Sequence, residues 1–158
     1  MKMGDSIEGV DILTSNERPR MWRFSYSAGP IRSKFLLFLR DQQRIMGTKC
    51  PACRKVYVPA RSVCAACYQD LEEWVEVSTH GVLETCTIVH KADPAFPWGT
   101  PVALGVIKLD GADTGIVHRL GEVDFDQIRI GMRVKAVFNE ERKGDIRDIG
   151  YFKPVESE

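Results

Sequence analysis

The sequence has no apolar run long enough to cross a lipid bilayer. Its longest uninterrupted apolar stretch is residues 35–39, five residues, whereas a spanning helix needs about 20. The first thirty residues also lack the apolar core of a signal peptide and carry charged side chains from Asp5 to Arg23. We therefore expect a cytoplasmic protein without a membrane partner.

Dense runs of one charge are also missing, although the net charge of zero hides an uneven distribution. Residues 1–68 hold 12 Lys and Arg against 5 Asp and Glu, whereas residues 69–158 hold 10 against 17. A basic first half suits a phosphorylated ligand, an acidic partner, a nucleic acid or the chain's own acidic half. The basic residues are scattered singly, without the interleaved aromatic residues of a single-strand-binding groove. A nucleic-acid-binding module is therefore the alternative hypothesis and not the leading one.

Histidine is scarce, which limits the catalytic arrangements that the chain offers. The three histidines, His80, His90 and His118, fall in separate segments with strand-like patterns. Their spacing assembles no nucleophile, base and orienting group. Cys86 lies in a β-branched run, where we expect a buried, unreactive side chain. We therefore expect no intrinsic catalysis, and an independent enzyme is the third hypothesis.

What the sequence does contain is a spaced quartet of cysteines. Cys50 and Cys53 form one C-x-x-C pair, and Cys64 and Cys67 form a second after ten intervening residues. Two such turns facing each other supply the closed tetrahedral sulfur shell that zinc accepts, so the spacing predicts a structural Zn²⁺ site. A rubredoxin-type iron site uses the same ligands, and two disulfides are the other alternative, which a cytoplasmic redox poise disfavours.

Residues 48–73 are predicted to form a zinc ribbon around this site. So short a segment cannot bury a core, so the ion must hold it together. Many such knuckles place a left-handed Gly after the second cysteine, whereas Arg54 and Tyr68 stand there in this sequence. The departure adds a little strain and leaves the ligands intact.

The segment before the ribbon is predicted to be an N-terminal arm over residues 1–30 followed by an amphipathic helix over residues 31–47. Ile31, Phe35, Phe38 and Ile45 recur at helical spacing, and Gly47 follows as a stop. Such a helix either packs on the chain's own domains or offers apolar surface to another protein.

After the ribbon, the hydrophobic period changes to two. Strands are predicted over residues 73–78, 82–90, 102–109, 114–120, 132–139 and 146–152, with a short helical insert near residues 125–128. Several short strands in about 80 residues fit a small closed or nearly closed barrel, because closure removes exposed sheet edges. We therefore predict a mainly β fold with an N-terminal helix, in which a rubredoxin-like zinc ribbon precedes an OB-fold barrel over residues 74–154. A sandwich is the alternative.

The connection over residues 91–101 is long for so small a barrel. It carries Phe96 and Trp98 among three prolines, which stiffen the backbone and hold bulky side chains out at low entropic cost. Such a loop either anchors a partner or folds its aromatic residues back over the end of the barrel.

In this order, the helix, the ribbon and the barrel resemble a family of small zinc-ribbon/OB-fold proteins that accompany thiolase-like enzymes, long filed as a domain of unknown function. The resemblance runs from about residue 35 to residue 154. The segments that carry it are Cys50-Pro-Ala-Cys53, Val58-Pro-Ala-Arg61, Cys64-Ala-Ala-Cys67, Trp74-Val-Glu-Val-Ser78, Thr87-Ile-Val-His90, Ile130-Gly-Met-Arg-Val134 and Tyr151-Phe-Lys-Pro154.

The resemblance implies a non-catalytic subunit that binds a thiolase, a hydroxymethylglutaryl-CoA synthase or a retro-aldolase and helps to shape the acyl-CoA passage. One setting in such a family is thiolysis of an aryl-ketoacyl-CoA. On this hypothesis the ribbon and the helix, with Phe35 and Phe38, dock on the catalytic subunit, and the loop contributes Phe96.

Acyl-CoA would then be a ligand shared within a hetero-oligomer. Its phosphates suit Arg61 and Lys91, and its adenine can lie against Trp98.

Overall fold

The computed structural model describes residues 6–7, 10–11, 27–91 and 99–155. Within these residues the chain forms an α-helix, ten β-strands and two short 3₁₀ helices. The first two strands, β1 (Ser6–Ile7) and β2 (Val10–Asp11), pair with each other in antiparallel fashion. The remaining elements, in chain order, are α1 (Gly29–Gln42), β3 (Ile45–Lys49), β4 (Val56–Tyr57), β5 (Glu73–Val77), β6 (His80–Val89), β7 (Val102–Leu109), β8 (Gly115–Arg119), a 3₁₀ helix (Phe125–Gln127), β9 (Arg133–Phe138), a second 3₁₀ helix (Ile146–Asp148) and β10 (Ile149–Pro154).

Helix α1 ends earlier than its periodicity predicts. Pro30 occupies its first turn, where a missing N–H costs nothing, and Gln43 terminates it in a left-handed conformation with φ 53°. Ile45, which we assigned to the helix, is instead the first residue of β3, where it pairs with Val77. The apolar residue that starts the strand has the spacing of the apolar stripe of the helix, but the left-handed Gln43 ends the helix before it. In the described part of the chain, no helix is long and apolar enough to span a membrane.

The ribbon is built on a three-stranded antiparallel sheet in the order β4-β3-β5. β3 is its central strand: Thr48 pairs with Tyr57 on one side and with Trp74 on the other. β5 therefore pairs within this sheet, at the boundary predicted between the ribbon and the barrel. The buried hydroxyl of Thr48 donates to the Arg61 carbonyl at 2.9 Å and accepts from the Arg61 N–H at 3.1 Å, which holds the returning chain against this sheet.

The barrel is a five-stranded antiparallel sheet in the order β10-β9-β6-β7-β8. Its two edges meet at a parallel bridge between Leu120 and Phe152, where the Gly121 N–H donates to the Phe152 carbonyl at 2.9 Å. The predicted strands are present within a few residues of their expected bounds, and the predicted helical insert is the 3₁₀ helix Phe125–Gln127. In the described part of the chain these five strands form one sheet and not two, which agrees with the predicted mainly β architecture with an OB-type domain.

One apolar core joins the helix, the base of the ribbon and the barrel. Phe35 and Leu39 of α1 are buried in the same cluster as Ile45 and Val58 of the ribbon and the interior residues of the barrel. Burial of these side chains in one continuous cluster favours a single arrangement of the three parts, because each part covers apolar surface of the others.

Polar contacts reinforce the joint between the ribbon and the barrel. The Val56 N–H donates to the Asp113 carboxylate at 2.8 Å, and the Asp113 N–H donates back to the Val56 carbonyl at 2.9 Å. The next turn repeats the exchange, because the Val58 N–H donates to the Thr114 hydroxyl, which donates to the Val58 carbonyl, both at 2.9 Å. The connection between β7 and β8 is thus paired to β4, so the ribbon is held against the barrel.

Candidate metal centre

The first cysteine pair lies on a tight turn at the end of β3. The Cys50 N–H donates to the Lys55 carbonyl at 2.9 Å, and the Arg54 N–H donates to the Cys50 carbonyl at 3.0 Å. The Cys53 N–H points at Cys50 Sγ at 3.4 Å. This turn directs both thiols to one side of the backbone.

The second pair repeats the same hydrogen bonds. The Cys64 N–H donates to the Gln69 carbonyl at 2.9 Å, and the Tyr68 N–H donates to the Cys64 carbonyl at 3.1 Å. The Ala66 and Cys67 N–H groups both point at Cys64 Sγ at 3.4 Å. Both knuckles are therefore built alike, although their sequences share little beyond the cysteines.

The residue after each second cysteine has the left-handed conformation that the knuckle requires. Arg54 has φ 65° and Tyr68 has φ 56°, positions at which Gly carries no penalty. The strain that the sequence predicted is present, and it leaves the cysteines in place.

The four sulfur atoms form one compact cluster. All four Sγ atoms lie within 4.8 Å of one another, and the Cys53 and Cys64 sulfurs are 3.6 Å apart. A tetrahedral zinc site with Zn–S distances of about 2.3 Å requires sulfur separations of about 3.8 Å, and the four sulfurs are near enough to one another to share such an ion. Cys50 and Cys64 are fully buried, and none of the four cysteines forms a disulfide. Four protein ligands complete the shell, so such a site is structural.

Tyr57 is a neighbour of the cluster that sequence reasoning missed. Its hydroxyl lies 3.2 Å from Cys64 Sγ, and this hydrogen bond, with the N–H groups of the knuckle, lowers the pKa of Cys64 to about 6. The pKa of Cys67 is raised to about 12, first through its hydrogen bond with Cys53 and then through burial. Four close sulfurs cannot all carry charge without a cation, and a bound Zn²⁺ would offset that charge and so favour the deprotonated form of all four. No spacing rule predicts Tyr57, because its position depends on the pairing of β4 with β3.

The interior of the knuckle region is small. Beyond the cysteines, its buried cluster consists of Tyr57 and Leu71. Two side chains bury far too little apolar surface to order about twenty residues, since each ordered residue costs roughly 1–2 kcal/mol of backbone entropy. The metal must supply the difference.

Of the residues assigned to CoA, Arg61 and Lys91 are exposed. The Arg61 guanidinium lies 5.4 Å from the centroid of the Tyr57 ring. With Arg32 and the first turn of α1, Arg61 lines a shallow cleft of about 280 Å³. Lys91 follows the end of β6, so the two cations belong to different domains. Trp98, like Phe96, lies outside the described residues.

The partner-binding assignment of Phe35 needs correction. Phe35 is 1% exposed and belongs to the shared core, because it faces the same side of α1 as the buried Leu39. Phe38 is half-buried, with its ring 5.7 Å from that of Trp74, and the Lys34 ammonium lies 4.8 Å from the Trp74 ring centroid. The sequence left open whether the helix packs on the chain's own domains or on another protein. Its buried face packs within the chain.

Cys86 and His118, far apart in the sequence, lie in one row across β6, β7 and β8 with a residue of β7 between them. Cys86 pairs with Gly105, which in turn pairs with His118 on the next strand. Cys86 is half-buried against the core, while His118 is 3% exposed and its ring meets Phe152 edge-on at 5.6 Å. Burial lowers the pKa of His118. Its surroundings are those of a core histidine.

Two family models together match more than half of the chain. One, described as the ChsH2 rubredoxin-like zinc ribbon domain, matches residues 39–72, and one described as the ChsH2 C-terminal OB-fold domain matches residues 74–139. The chain belongs to this ChsH2-type zinc-ribbon/OB-fold family. Membership confirms the resemblance stated above and, with the sulfur geometry, supports Zn²⁺ as the resident ion.

Curated relatives in this family carry the name of a scaffold. A "DUF35 domain-containing scaffold protein" of Methanocaldococcus jannaschii is 29% identical over 124 residues, which cover 75% of this chain and 87% of the relative. A protein of the same name from Methanothermobacter thermautotrophicus is 28% identical over 120 residues, covering 72% of this chain and 89% of the relative.

Solved structures of the ChsH2-type family share the fold. A chain of the structure titled "Ltp2-ChsH2(DUF35) aldolase" superposes with a TM-score of 0.60 at 24% identity, covering 82% of this chain and 98% of that chain. A DUF35-family protein of unknown function from Sulfolobus solfataricus gives a TM-score of 0.56 at 27% identity, covering 69% of this chain and 78% of that one.

Proposed function

We propose that this protein is a non-catalytic accessory subunit of a thiolase-type acyl-CoA complex. It docks on a catalytic subunit that makes or breaks a carbon–carbon bond, and it borders the entrance for CoA. The proposal rests on curated relatives that are named scaffold proteins and that align with this chain over nearly their whole length. It also rests on a ribbon whose four cysteines would complete the shell of the metal. A closed shell leaves no position for a substrate, so the ion contributes shape and not chemistry.

The rigid joint between the ribbon and the barrel supports a docking role. A scaffold that presents two surfaces to a partner loses less entropy on binding when those surfaces are already held together. The reciprocal hydrogen bonds of Val56 and Val58 with Asp113 and Thr114, and the shared apolar core, provide this pre-organisation.

The basic side chains on this scaffold suit the phosphates of CoA. Arg61 and Arg32 line one cleft on the ribbon side, and Lys91 begins the long loop that carries Trp98. Guanidinium groups bind phosphate through two parallel hydrogen bonds, and an indole offers a face to adenine. An aryl-ketoacyl-CoA is the finer substrate proposal, and it follows from the family resemblance alone.

Isolation of the native assembly tests the proposal. The protein is purified from its own cells under mild conditions, its companion is identified by mass spectrometry, and the assembly is assayed for CoA-dependent cleavage of 3-ketoacyl-CoA esters. We expect a hetero-oligomer with a thiolase-type subunit whose activity falls when the zinc-ribbon subunit is removed. A monodisperse single polypeptide, or a companion whose activity does not respond to this subunit, would refute it.

A further inference from the structure

The tip of the ribbon exposes one large aromatic side chain. Tyr68 is 80% exposed, and no described aromatic ring or cation packs on its ring. Its backbone is left-handed with φ 56°, a conformation that disfavours any residue with a Cβ. Local stability therefore does not explain a tyrosine at this position, where Gly or Asn would be more favourable.

The two knuckles beside Tyr68 expose small apolar side chains between their cysteines. Pro51 and Ala52 lie between the first two cysteines, and Ala65 and Ala66 lie between the second two; all four are exposed. Because the four sulfurs lie within 4.8 Å of one another, these two turns lie side by side. We call this surface, with Tyr68, the knuckle tip. A projecting ring on a surface of methyl and methylene groups is typical of a protein-binding anchor.

The knuckle tip has a basic edge. Arg54 and Lys55 are exposed at the end of the first knuckle, and no described carboxylate lies within ion-pair distance of either side chain. Asp70, also exposed, is the acidic residue nearest in sequence to Tyr68. Arg54 and Lys55 thus place two positive charges without an ion-pair partner at this edge, which favours an acidic surface opposite them.

These side chains have one other physical explanation, which is that they balance the zinc site itself. Zinc bound to four thiolates leaves a formal charge of −2, which Arg54 and Lys55 could offset. The two explanations differ in what a charge reversal changes: counter-ions of the metal site affect zinc retention, whereas residues of a docking edge affect partner binding.

We infer that the knuckle tip docks Tyr68 into an apolar pocket bordered by Asp and Glu side chains on the catalytic subunit. The inference rests on the proposed function and specifies the partner's surface. A protein partner is favoured over a nucleic acid because the tip presents one ring among apolar groups, whereas single-strand binding uses successive stacking rings along a basic groove.

The central experiment compares Tyr68→Gly with wild type. Gly suits φ 56°, so this variant keeps its zinc and its fold while losing the ring. The probe is the catalytic subunit separated from the isolated complex and identified by mass spectrometry, and its affinity is measured by titration calorimetry. We expect at least a tenfold loss of affinity with an unchanged zinc content. Ile130→Ala, which truncates a 69% exposed side chain of the barrel, serves as the matched control and should change affinity less than twofold. Equal losses in both variants would overturn the inference.

A charge-reversed variant tests the basic edge. Arg54→Glu with Lys55→Glu should weaken binding at least tenfold at low salt and flatten its dependence on ionic strength, because opposed charges no longer attract. Zinc content and chelator resistance should stay unchanged. Loss of zinc with unaltered partner affinity would assign these residues to the metal site and contradict the docking role.

The design separates the two proposals. If wild type binds a thiolase-type subunit and Tyr68→Gly binds equally well, the docking inference fails and the proposed function stands. If wild type binds no such subunit, both fail. If instead a 20-nucleotide single-stranded DNA binds wild type near physiological salt and Tyr68→Gly abolishes that binding, the tip is a nucleic-acid contact and the protein-docking inference is overturned.

Discussion

The guanidinium of Arg142 donates a 2.7 Å hydrogen bond to the main-chain carbonyl of Arg40, which lies 102 residues earlier in the chain. Arg40 is in the last turn of α1, where carbonyl groups have no partner within the helix. The same guanidinium donates to the carbonyls of Asn139 and Glu140 in the loop between β9 and β10. One side chain thus joins the end of the helix to the barrel.

Replacement of Arg142 by Ala should lower the free energy of unfolding by about 1.5–3 kcal/mol. It removes a charged donor from three carbonyls and leaves the helix end less well satisfied. The measurement is urea denaturation followed by circular dichroism. Arg147→Ala is the control: Arg147 pairs with Asp145 two residues away on the surface, and its loss should change stability by no more than about 0.5 kcal/mol. Equal effects of both substitutions would contradict the role of Arg142 as a joint.

Metal removal should unfold the knuckles before the barrel. A strong chelator, or Cys64→Ser, removes the ion that replaces a hydrophobic core between residues 50 and 68, so amide exchange there should become fast. The strands β6, β7 and β8 should exchange more slowly, because they contribute to the larger core. Hydrogen-exchange mass spectrometry measures both regions in one experiment.

Elemental analysis of the same material identifies the metal. We expect one equivalent of zinc, and Co²⁺ substitution should give the absorption bands of a tetrahedral thiolate site. Folded, freshly isolated protein with intact knuckles and no metal would contradict the structural role of the cysteines.

Tyr57→Phe should reduce zinc affinity about 10–100-fold without unfolding the ribbon. The substitution keeps the buried ring and removes only the hydroxyl 3.2 Å from Cys64 Sγ, a partner that lowers the pKa of that ligand. Competition with a chromophoric chelator measures the change. Tyr68→Phe is the matched control, because its hydroxyl is solvent-exposed, and it should retain wild-type affinity. Unchanged affinity in Tyr57→Phe would show that the hydroxyl is not a support of the site.

His118 should make the protein less stable in mild acid. Burial lowers the pKa of His118 in the folded state, so below the unfolded value of about 6.5 the unfolded chain binds a proton that the folded chain resists. The free energy of unfolding therefore falls as the pH drops from 6.5 toward the folded pKa, by up to about 1.4 kcal/mol per pH unit. Unfolding measured between pH 7.5 and 5.0 should be less pH-dependent in His118→Leu. The same slope in both proteins would exclude this histidine as the cause.

Sequence patterns predicted a local feature correctly where a single residue type, or a single hydrophobic period, is enough to specify it. The four cysteines were identifiable from spacing alone, because a C-x-x-C turn is short enough to determine which side its thiols face. The strands of the barrel followed from a period of two. Prediction was wrong where two elements share an apolar run: Ile45 fits the helical stripe of Phe35, yet it lies in β3 because Gln43 reverses the chain.

The sequence by itself determined the ligands, the ribbon and the succession of strands, since each depends on contacts between residues close in the chain. Only the tertiary structure decided that Phe35 is a core residue, that β5 pairs with β3 and that the Tyr57 hydroxyl lies beside Cys64. It also decided that Tyr68 remains exposed. These outcomes depend on which distant segments pack together. The free energy of that packing comes from contacts between residues far apart in the chain, which a local sequence pattern does not describe.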